Sequence, residues 1–137
     1  MLSTPPEAAL KRQMDASPAL AMLIGTKTYP TLAPSSASLP FVTWRRVGVA
    51  RVQTLQSPSG LSKVTIEYSI FGATYESCRQ VADGLRLVLD GYGGTVLNCT
   101  VSQVSLENEN DDFVTLAGAD LPPAYQITQQ YDVTWQE

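Results

Sequence analysis

The segment AYQITQQYDVTWQE, residues 124–137, alternates between two kinds of side chain almost without interruption. One face would carry Tyr125, Ile127, Gln129, Tyr131, Val133 and Trp135. The other face would carry Gln126, Thr128, Gln130, Asp132, Thr134 and Gln136. A period of two predicts a β-strand with one buried face. KVTIEYSIF, residues 63–71, repeats the pattern with Val64, Ile66, Tyr68 and Ile70. Half-buried strands of this kind are typical of antiparallel sheets that are covered on one side.

A helical segment is available to cover such a sheet. In TYESCRQVADGLRLVLDGYGG the apolar residues recur at intervals of three and four: Cys78, Val81, Ala82, Leu85, Val88 and Leu89. This spacing predicts a helix from near Thr74 to the glycines at Gly91, with one buried stripe. Leu87 falls outside the stripe. Gly84 lowers helix stability by about 1 kcal/mol, which indicates either a close neighbouring backbone or simple tolerance.

Two further helical segments come earlier in the chain. Ser3 or Thr4 can cap the first, Pro5 and Pro6 suit its first turn, and it continues through EAALKRQMDA. A second start follows at SPALAMLIG, where Ser17 caps, Pro18 opens and Gly25 ends the helix.

Extended segments account for most of the remaining chain. TKTYP predicts a brief strand, an uncharged loop follows from Pro30 to Leu39, and PFVTWRRVGVARV predicts another strand. A turn is expected at Ser57–Gly60 and a single long strand at Thr95–Leu106.

These elements together predict an α+β fold. We expect a mostly antiparallel sheet of four to five strands with two main helices packed on one face. At 137 residues the chain is expected to form a single domain, residues 1–137.

Composition argues against catalysis, cofactor binding and nucleic-acid binding. The chain has no histidine, which removes the commonest general base and zinc ligand. The net charge is −4 and the longest basic run is Arg45-Arg46, whereas tight binding to DNA needs several cations on phosphates. Neither a signal peptide nor a membrane-spanning segment is recognisable. The protein is therefore expected to be neither an enzyme nor a membrane protein, with no catalytic, cofactor or metal site.

The two cysteines, Cys78 and Cys99, lie in different expected elements and lack the C-x-x-C spacing of redox motifs. A reduced, structural pair is the first interpretation, and a disulfide or redox role is the alternative.

Two charged segments are candidates for contacts with partners. ENENDD contains Glu107, Glu109, Asp111 and Asp112. It is interpreted first as a solvated hairpin tip, with a charged contact to a partner as an alternative. A calcium site is a third alternative, although the usual calcium-loop pattern is missing. Arg45 and Arg46 follow Trp44 on a predicted strand, so they point to opposite faces. Since arginine is favoured at interfaces, a contact between subunits is a second reading for them.

The order of these segments resembles the tail-completion family of long-tailed bacteriophages, whose members act as tail terminators. The resemblance rests on LIGTKTYP at Leu23–Pro30, LPFVTW at Leu39–Trp44, the segment Ile66–Gly91 that enters a helix at ATYE, and YQITQQYDVTW at Tyr125–Trp135. Each motif alone is weak, and their common order spans nearly the whole chain.

The resemblance implies a structural virion protein that forms a ring, usually a hexamer, on the head-proximal end of the tail tube. Such a ring would stop tube growth and offer a docking surface to the head, after assembly in the host cytoplasm. Its partners would be further copies of itself, the tail tube protein and a head-completion protein, with DNA only passing through the channel. The alternatives are another head–tail connector or minor tail protein of similar fold, or a small ligand-binding domain or enzyme.

On this interpretation the loop Thr31–Leu39 and the strand Trp44–Arg46 form one patch of the subunit contact, and the exposed side of the helix near Leu87 belongs to the other. The acidic segment Glu107–Asp112 is expected to contact a partner or line the channel. The candidate interface residues are Thr31, Leu32, Pro34, Leu39, Trp44, Arg45, Arg46, Leu87, Glu107, Glu109, Asp111 and Asp112.

Overall fold

The structure, a computed structural model, describes residues 6–25, 27–30, 39–53, 58–96, 99–114 and 124–136. Within these residues the chain forms three helices and six strands. In chain order the elements are α1 Pro6–Asp15, α2 Pro18–Ile24, β1 Thr28–Pro30, β2 Phe41–Gln53, β3 Pro58–Gly72, α3 Tyr75–Leu89, β4 Gly94–Val96, β5 Cys99–Val114 and β6 Ala124–Gln136.

One mixed sheet with the strand order β1-β2-β3-β6-β5-β4 contains all the described strands. β1 is parallel to β2, and every other neighbouring pair is antiparallel. The α+β class is therefore confirmed, while the expected four to five antiparallel strands are wrong in detail. Both edge strands have three residues: β1 lies within the brief strand predicted at TKTYP, whereas β4 was not predicted as a separate strand.

The central strands align their apolar faces as the alternation predicts. Val64 pairs with Val133, Ile66 with Tyr131, and Ile70 with Ile127 across β3 and β6. All of these side chains are fully buried. Their common face forms the base of the hydrophobic core.

Helix α3 covers this face and begins and ends as the sequence predicts. The hydroxyl of Thr74 accepts a hydrogen bond from the backbone N–H of Ser77 at 3.1 Å, which caps the helix. The predicted stripe is buried except for Val88, which is half-buried. At Gly84 a β-carbon would lie 3.1 Å from Cδ2 of Leu20, so the close neighbour there is a side chain of α2 and not another backbone.

The N-terminal helices fill the space between α3 and the sheet edges. Ser17 caps α2 by accepting from the backbone N–H of Leu20 at 3.4 Å, and Gly25 ends it with a φ of 60°. Ala9 and Leu10 of α1 are fully buried, while Lys11 donates to the Thr28 hydroxyl of β1 at 2.8 Å. α1 also packs against β4 and β5, so the sheet curls around it. The predicted caps Ser3 and Thr4 lie outside the described residues.

The strand predicted at Thr95–Leu106 is two strands. β4 and β5 form an antiparallel hairpin in which Val96 pairs with Cys99. Leu97 and Asn98 separate them in the sequence, and a single asparagine beside an apolar residue is a weak turn signal. Without a clear turn signal, the segment was predicted as one continuous strand.

The acidic segment Glu107–Asp112 is also strand and not a hairpin tip. β5 continues through it to Val114, with Glu109 opposite Gln129 and Asp111 opposite Ile127 of β6. A strand near the edge of a sheet tolerates this charge because its outer side faces water.

The turn predicted at Ser57–Gly60 is also wrong for its last three residues. Pro58–Gly60 belong to β3, and Pro58 lies opposite Gln53 of β2. Residue Ser57 lies outside the described part of the chain.

No described helix is long and apolar enough to cross a membrane.

Candidate assembly interface

The structure places the candidate interface residues at two well-separated parts of the sheet. Trp44, Arg45 and Arg46 lie on β2, and Leu39 precedes that strand with its side chain half-buried. Glu107, Glu109, Asp111 and Asp112 lie on β5, which β3 and β6 separate from β2. Leu87 lies on α3. Thr31, Leu32 and Pro34 lie outside the described residues.

Arg45 and Arg46 point to opposite faces of the sheet, as predicted. Arg46 lies on the helix-bearing face, where its guanidinium donates to both carboxylate oxygens of Glu7 at 3.1 and 2.8 Å. It also lies 6.0 Å from the ring centroid of Trp135. Arg46 therefore ties the first turn of α1 to the sheet. Trp44 is half-buried and packs against the core.

Arg45 lies on the opposite face, which no described helix covers. Its guanidinium contacts Glu67 at 3.3 Å, while 57% of its side chain remains exposed. Polar partners continue across this open face: Thr65 donates to Asp132 at 2.8 Å, and Gln130 donates to Glu67 at 3.1 Å. Around these residues the open face is a hydrogen-bonded polar surface. Elsewhere on it Phe41 contacts the rings of Tyr29 and Phe71.

Two of the acidic residues of β5 are committed to contacts within the subunit. Arg79 of α3 contacts Glu109 at 2.8 Å and Asp111 at 4.0 Å. The hydroxyl of Tyr75 donates to Asp111 at 3.1 Å. The guanidinium of Arg79 holds the pKa of Glu109 below its usual value, and the amide of Gln129 contributes to this lowered pKa. These carboxylates fasten α3 to the sheet.

Glu109 also belongs to a buried polar network that sequence analysis missed. The fully buried Gln129 donates to Glu109 at 2.7 Å and to the carbonyl of Ala82 at 3.1 Å. Its own carbonyl accepts from the hydroxyl of Tyr131 at 2.7 Å. Burial raises the pKa of Tyr131, so this phenol remains a proton donor. The available signal was Gln129 itself, a polar residue on an otherwise apolar strand face, because a buried amide must find partners.

Glu107 is exposed and accepts a hydrogen bond from Ser105 at 2.7 Å. For Asp112 the structure describes the strand position alone. Their role as contacts with a partner therefore stays a prediction.

The helical layer exposes two large apolar side chains, Leu87 of α3 at 81% and Met22 of α2 at 88%. Sequence analysis missed Met22, although the segment PALAMLI has no charged residue. Single exposed apolar side chains are common on protein surfaces, so a contact at Leu87 stays a prediction.

The described residues contain no cluster of three or more potential metal-binding side chains. Cys78 is a free, buried thiol that donates to the carbonyl of Ile70 at 3.2 Å. Burial raises its pKa to about 11, which makes it a poor nucleophile at neutral pH. The side chain of Cys99 lies outside the described part of the chain.

Comparison with known proteins identifies the family. The sequence has no match among curated proteins. The fold is similar to a chain in a solved structure of the virion of a native gene transfer agent (GTA) particle, with a TM-score of 0.75 and 17% identity. That similarity covers 96% of this chain and 94% of the other. The family model for tail completion protein gp17 matches residues 8–120. The chain therefore belongs to the tail completion protein gp17 family, whose members are structural proteins of bacteriophage virions.

Proposed function

We propose that this protein is a tail terminator that forms a ring on the head-proximal end of the tail tube. The ring stops polymerisation of the tube and provides the surface on which the head docks. The observation that carries the proposal is the family match over residues 8–120. A phage-like particle also contains a chain of the same fold, which supports a role in a virion.

The geometry is compatible with a protein that acts through its surfaces. A closed ring requires a heterologous contact, in which two different patches on each subunit meet. The candidate residues on β2 and those on β5 lie on opposite sides of the two central strands, so one copy presents both patches at once. Among the described residues, the partly exposed Arg79 and Glu109 are bound to each other within the subunit. This arrangement favours assembly over a catalytic role.

Deletion of the gene from a particle-producing genome tests the proposal. We expect filled heads without tails, together with unattached tails of irregular and often excessive length, because the growing tube lacks its stop. Supplying the wild-type chain from a second copy of the gene should restore joined particles.

Electron microscopy of the two lysates measures tail length and attachment together. Unattached tails of normal length would instead indicate a head–tail joining protein that does not control length. Tails of normal length joined to heads would refute both roles.

A further inference from the structure

The outer edges of β2 and β5 are only partly paired. β1 pairs with β2 at Val42–Trp44, and β4 pairs with β5 at Cys99–Val101. The backbones of Gly91 and Tyr92 pair with Val104. The carboxylate of Asp90 accepts from the backbone N–H of Leu106. From Arg45 onward on β2, and from Glu107 onward on β5, no described strand lies alongside these edges.

The last residues of β2, after Arg51, also project from the sheet. β6 pairs with β3 only from Leu61 onward, whereas β2 and β3 remain paired up to Gln53 and Pro58. The β2–β3 hairpin therefore extends past the end of β6. Before this projecting end, where β6 still flanks β3, Val47 and Val49 of β2 are exposed apolar side chains. Open strand edges with apolar side chains are templates for pairing with another chain.

The two free edges carry opposite charge. β2 contains Arg45, Arg46 and Arg51, whereas the free part of β5 contains Glu107, Glu109, Asp111 and Asp112. Because Arg46 is bound to Glu7, and Glu109 and Asp111 to Arg79, the complementarity rests on the other four residues. Two β2 edges would repel each other, and so would two β5 edges. A β2 edge and a β5 edge from different copies would attract each other.

Strand direction favours the same pairing. β2 is antiparallel to β3, β3 to β6, and β6 to β5, so β2 and β5 run in opposite directions. When a second copy continues the sheet in the same sense, its β2 lies antiparallel to β5 of the first copy. Antiparallel strands form the more stable ladder.

We propose that β2 of one copy pairs with β5 of the next copy, so that the subunit contact of the assembly is a continued antiparallel sheet. The inference deepens the proposed function and rests on it for the closed ring. The contact is heterologous, as a ring requires. It buries Val47 and Val49, and it places the basic edge beside the acidic one.

The β-bulges define which residues can pair. Bulges at Arg46/Gly48 and Leu106/Asn108 interrupt the ladders, which leaves regular strand at Gly48–Arg51 and Asn108–Val114. These two runs lie toward opposite ends of the sheet, so adjacent copies are offset along the strands. A ring accommodates such an offset when its strands tilt from the ring axis, as in barrels.

Cysteine cross-linking tests the pairing directly. Gly48 lies on the open side of the sheet and has open space where a β-carbon would be, and Asn108 and Asn110 lie on the same side of β5. Asp112 is two positions further along that strand. In a Cys99→Ser background, Gly48→Cys is combined in turn with Asn108→Cys, Asn110→Cys and Asp112→Cys. Oxidation of assembled particles should give a ladder of covalent multimers larger than a dimer for at least one pair, since directly opposed residues lie within disulfide reach. Each variant with only one introduced cysteine, beside the buried Cys78, is the control and should remain monomeric.

Charge reversal tests the same contact without a cross-link. Arg45→Glu/Arg51→Glu reverses the basic edge and Glu107→Lys/Asp112→Lys reverses the acidic one, while Arg79 and its partners remain. Each should lower incorporation into particles by about tenfold or more, and the combined variant should recover most of it. Asp15→Lys/Glu76→Lys makes the same net charge change as the acidic-edge variant at exposed positions on helices. This control should assemble normally.

The outcomes separate the interface from the function. Absence of ladders for all three pairs, with normal incorporation of both edge variants, would overturn the pairing even if gene deletion gives the expected tail defect. Ladders together with normal joined tails after deletion would support the pairing and refute the terminator role. Dimers from Gly48→Cys alone would indicate two β2 edges in contact, which contradicts the proposal.

Discussion

At the scale of single residues, the acidic residues of β5 have two different tasks. Glu109 and Asp111 are bound to Arg79 and Tyr75 and so hold α3 on the sheet. Glu107 faces water and remains a candidate for contact with a partner. Neutralising the whole segment would therefore change stability and assembly together, and the two groups must be tested separately.

Glu109→Gln should alter the pH dependence of stability. Because Arg79 lowers the pKa of Glu109 in the folded state, this carboxylate stabilises the fold fully above its unfolded pKa of about 4.3. The stabilisation is lost as the pH falls through the lower folded pKa. In urea denaturation measured across this acidic range, the native protein should lose more stability than Glu109→Gln. Glu107→Gln is the control at an exposed position, and an identical acid slope for the native protein and Glu109→Gln would contradict the prediction.

Trp135→Ala should lower the free energy of unfolding by about 3–5 kcal/mol, the usual range for removing a buried aromatic ring. The side chain of Trp135 is 4% exposed, and Arg46 lies over its ring. Denaturant unfolding followed by circular dichroism measures the loss. An unchanged midpoint would show that this face of β6 contributes little to the core.

At the scale of elements, the sequence predicts best where a local side chain caps or breaks the chain. Ser17 and Thr74 begin α2 and α3 as expected, and Gly25 ends α2. The boundary between β4 and β5 was harder to predict, because the chain reverses direction there and the sequence carries only a weak turn signal. The acidic part of β5 is a strand because β6 provides a ladder for it, although its composition alone favours a loop.

The junction between β3 and α3 should be intolerant of added volume. At Gly72 a β-carbon would lie 3.0 Å from the backbone nitrogen of Cys78 and 3.2 Å from its α-carbon. Gly72→Ala should therefore lower the free energy of unfolding by about 1–3 kcal/mol through overpacking. Gly48→Ala is the matched control, because nothing lies within 4 Å of its β-carbon position. Equal thermal midpoints for the two variants would show that the junction can relax.

At the scale of the whole molecule, the helices join distant parts of the sheet. α1 contacts β1 through Lys11 and Thr28 and also packs on β4 and β5, while α3 packs on β3, β5 and β6. Loss of one layer would therefore expose the apolar face of the other. This mutual dependence favours a single cooperative unit, in line with the expected single domain.

The isolated chain should unfold in one transition. Trp44 on β2 and Trp135 on β6 report on the sheet, and circular dichroism at the helical band reports on the helices. Because both layers share one core, the two signals should coincide during denaturation. Two separate midpoints would contradict the expectation of one domain.

The sequence by itself determined the features that depend on local chemistry. Period-two alternation identified the buried faces of β3 and β6, and the spacing of three and four identified the buried stripe of α3. The order of the segments was sufficient for the resemblance to tail-completion proteins, which the family match confirms. These features are local because a side chain's position along a helix or strand sets the face on which it lies.

Only the tertiary structure decided which elements meet. The parallel edge strand β1, the pairing of the acidic segment with β6 and the attachment of Glu109 to Arg79 all join residues far apart in the sequence. The open edges of β2 and β5 also depend on the tertiary structure, because a strand edge is open only where no described strand pairs with it. Pairing and burial are properties of the assembled sheet, so no local pattern could have revealed beside which stretches of β2 and β5 no described strand would lie.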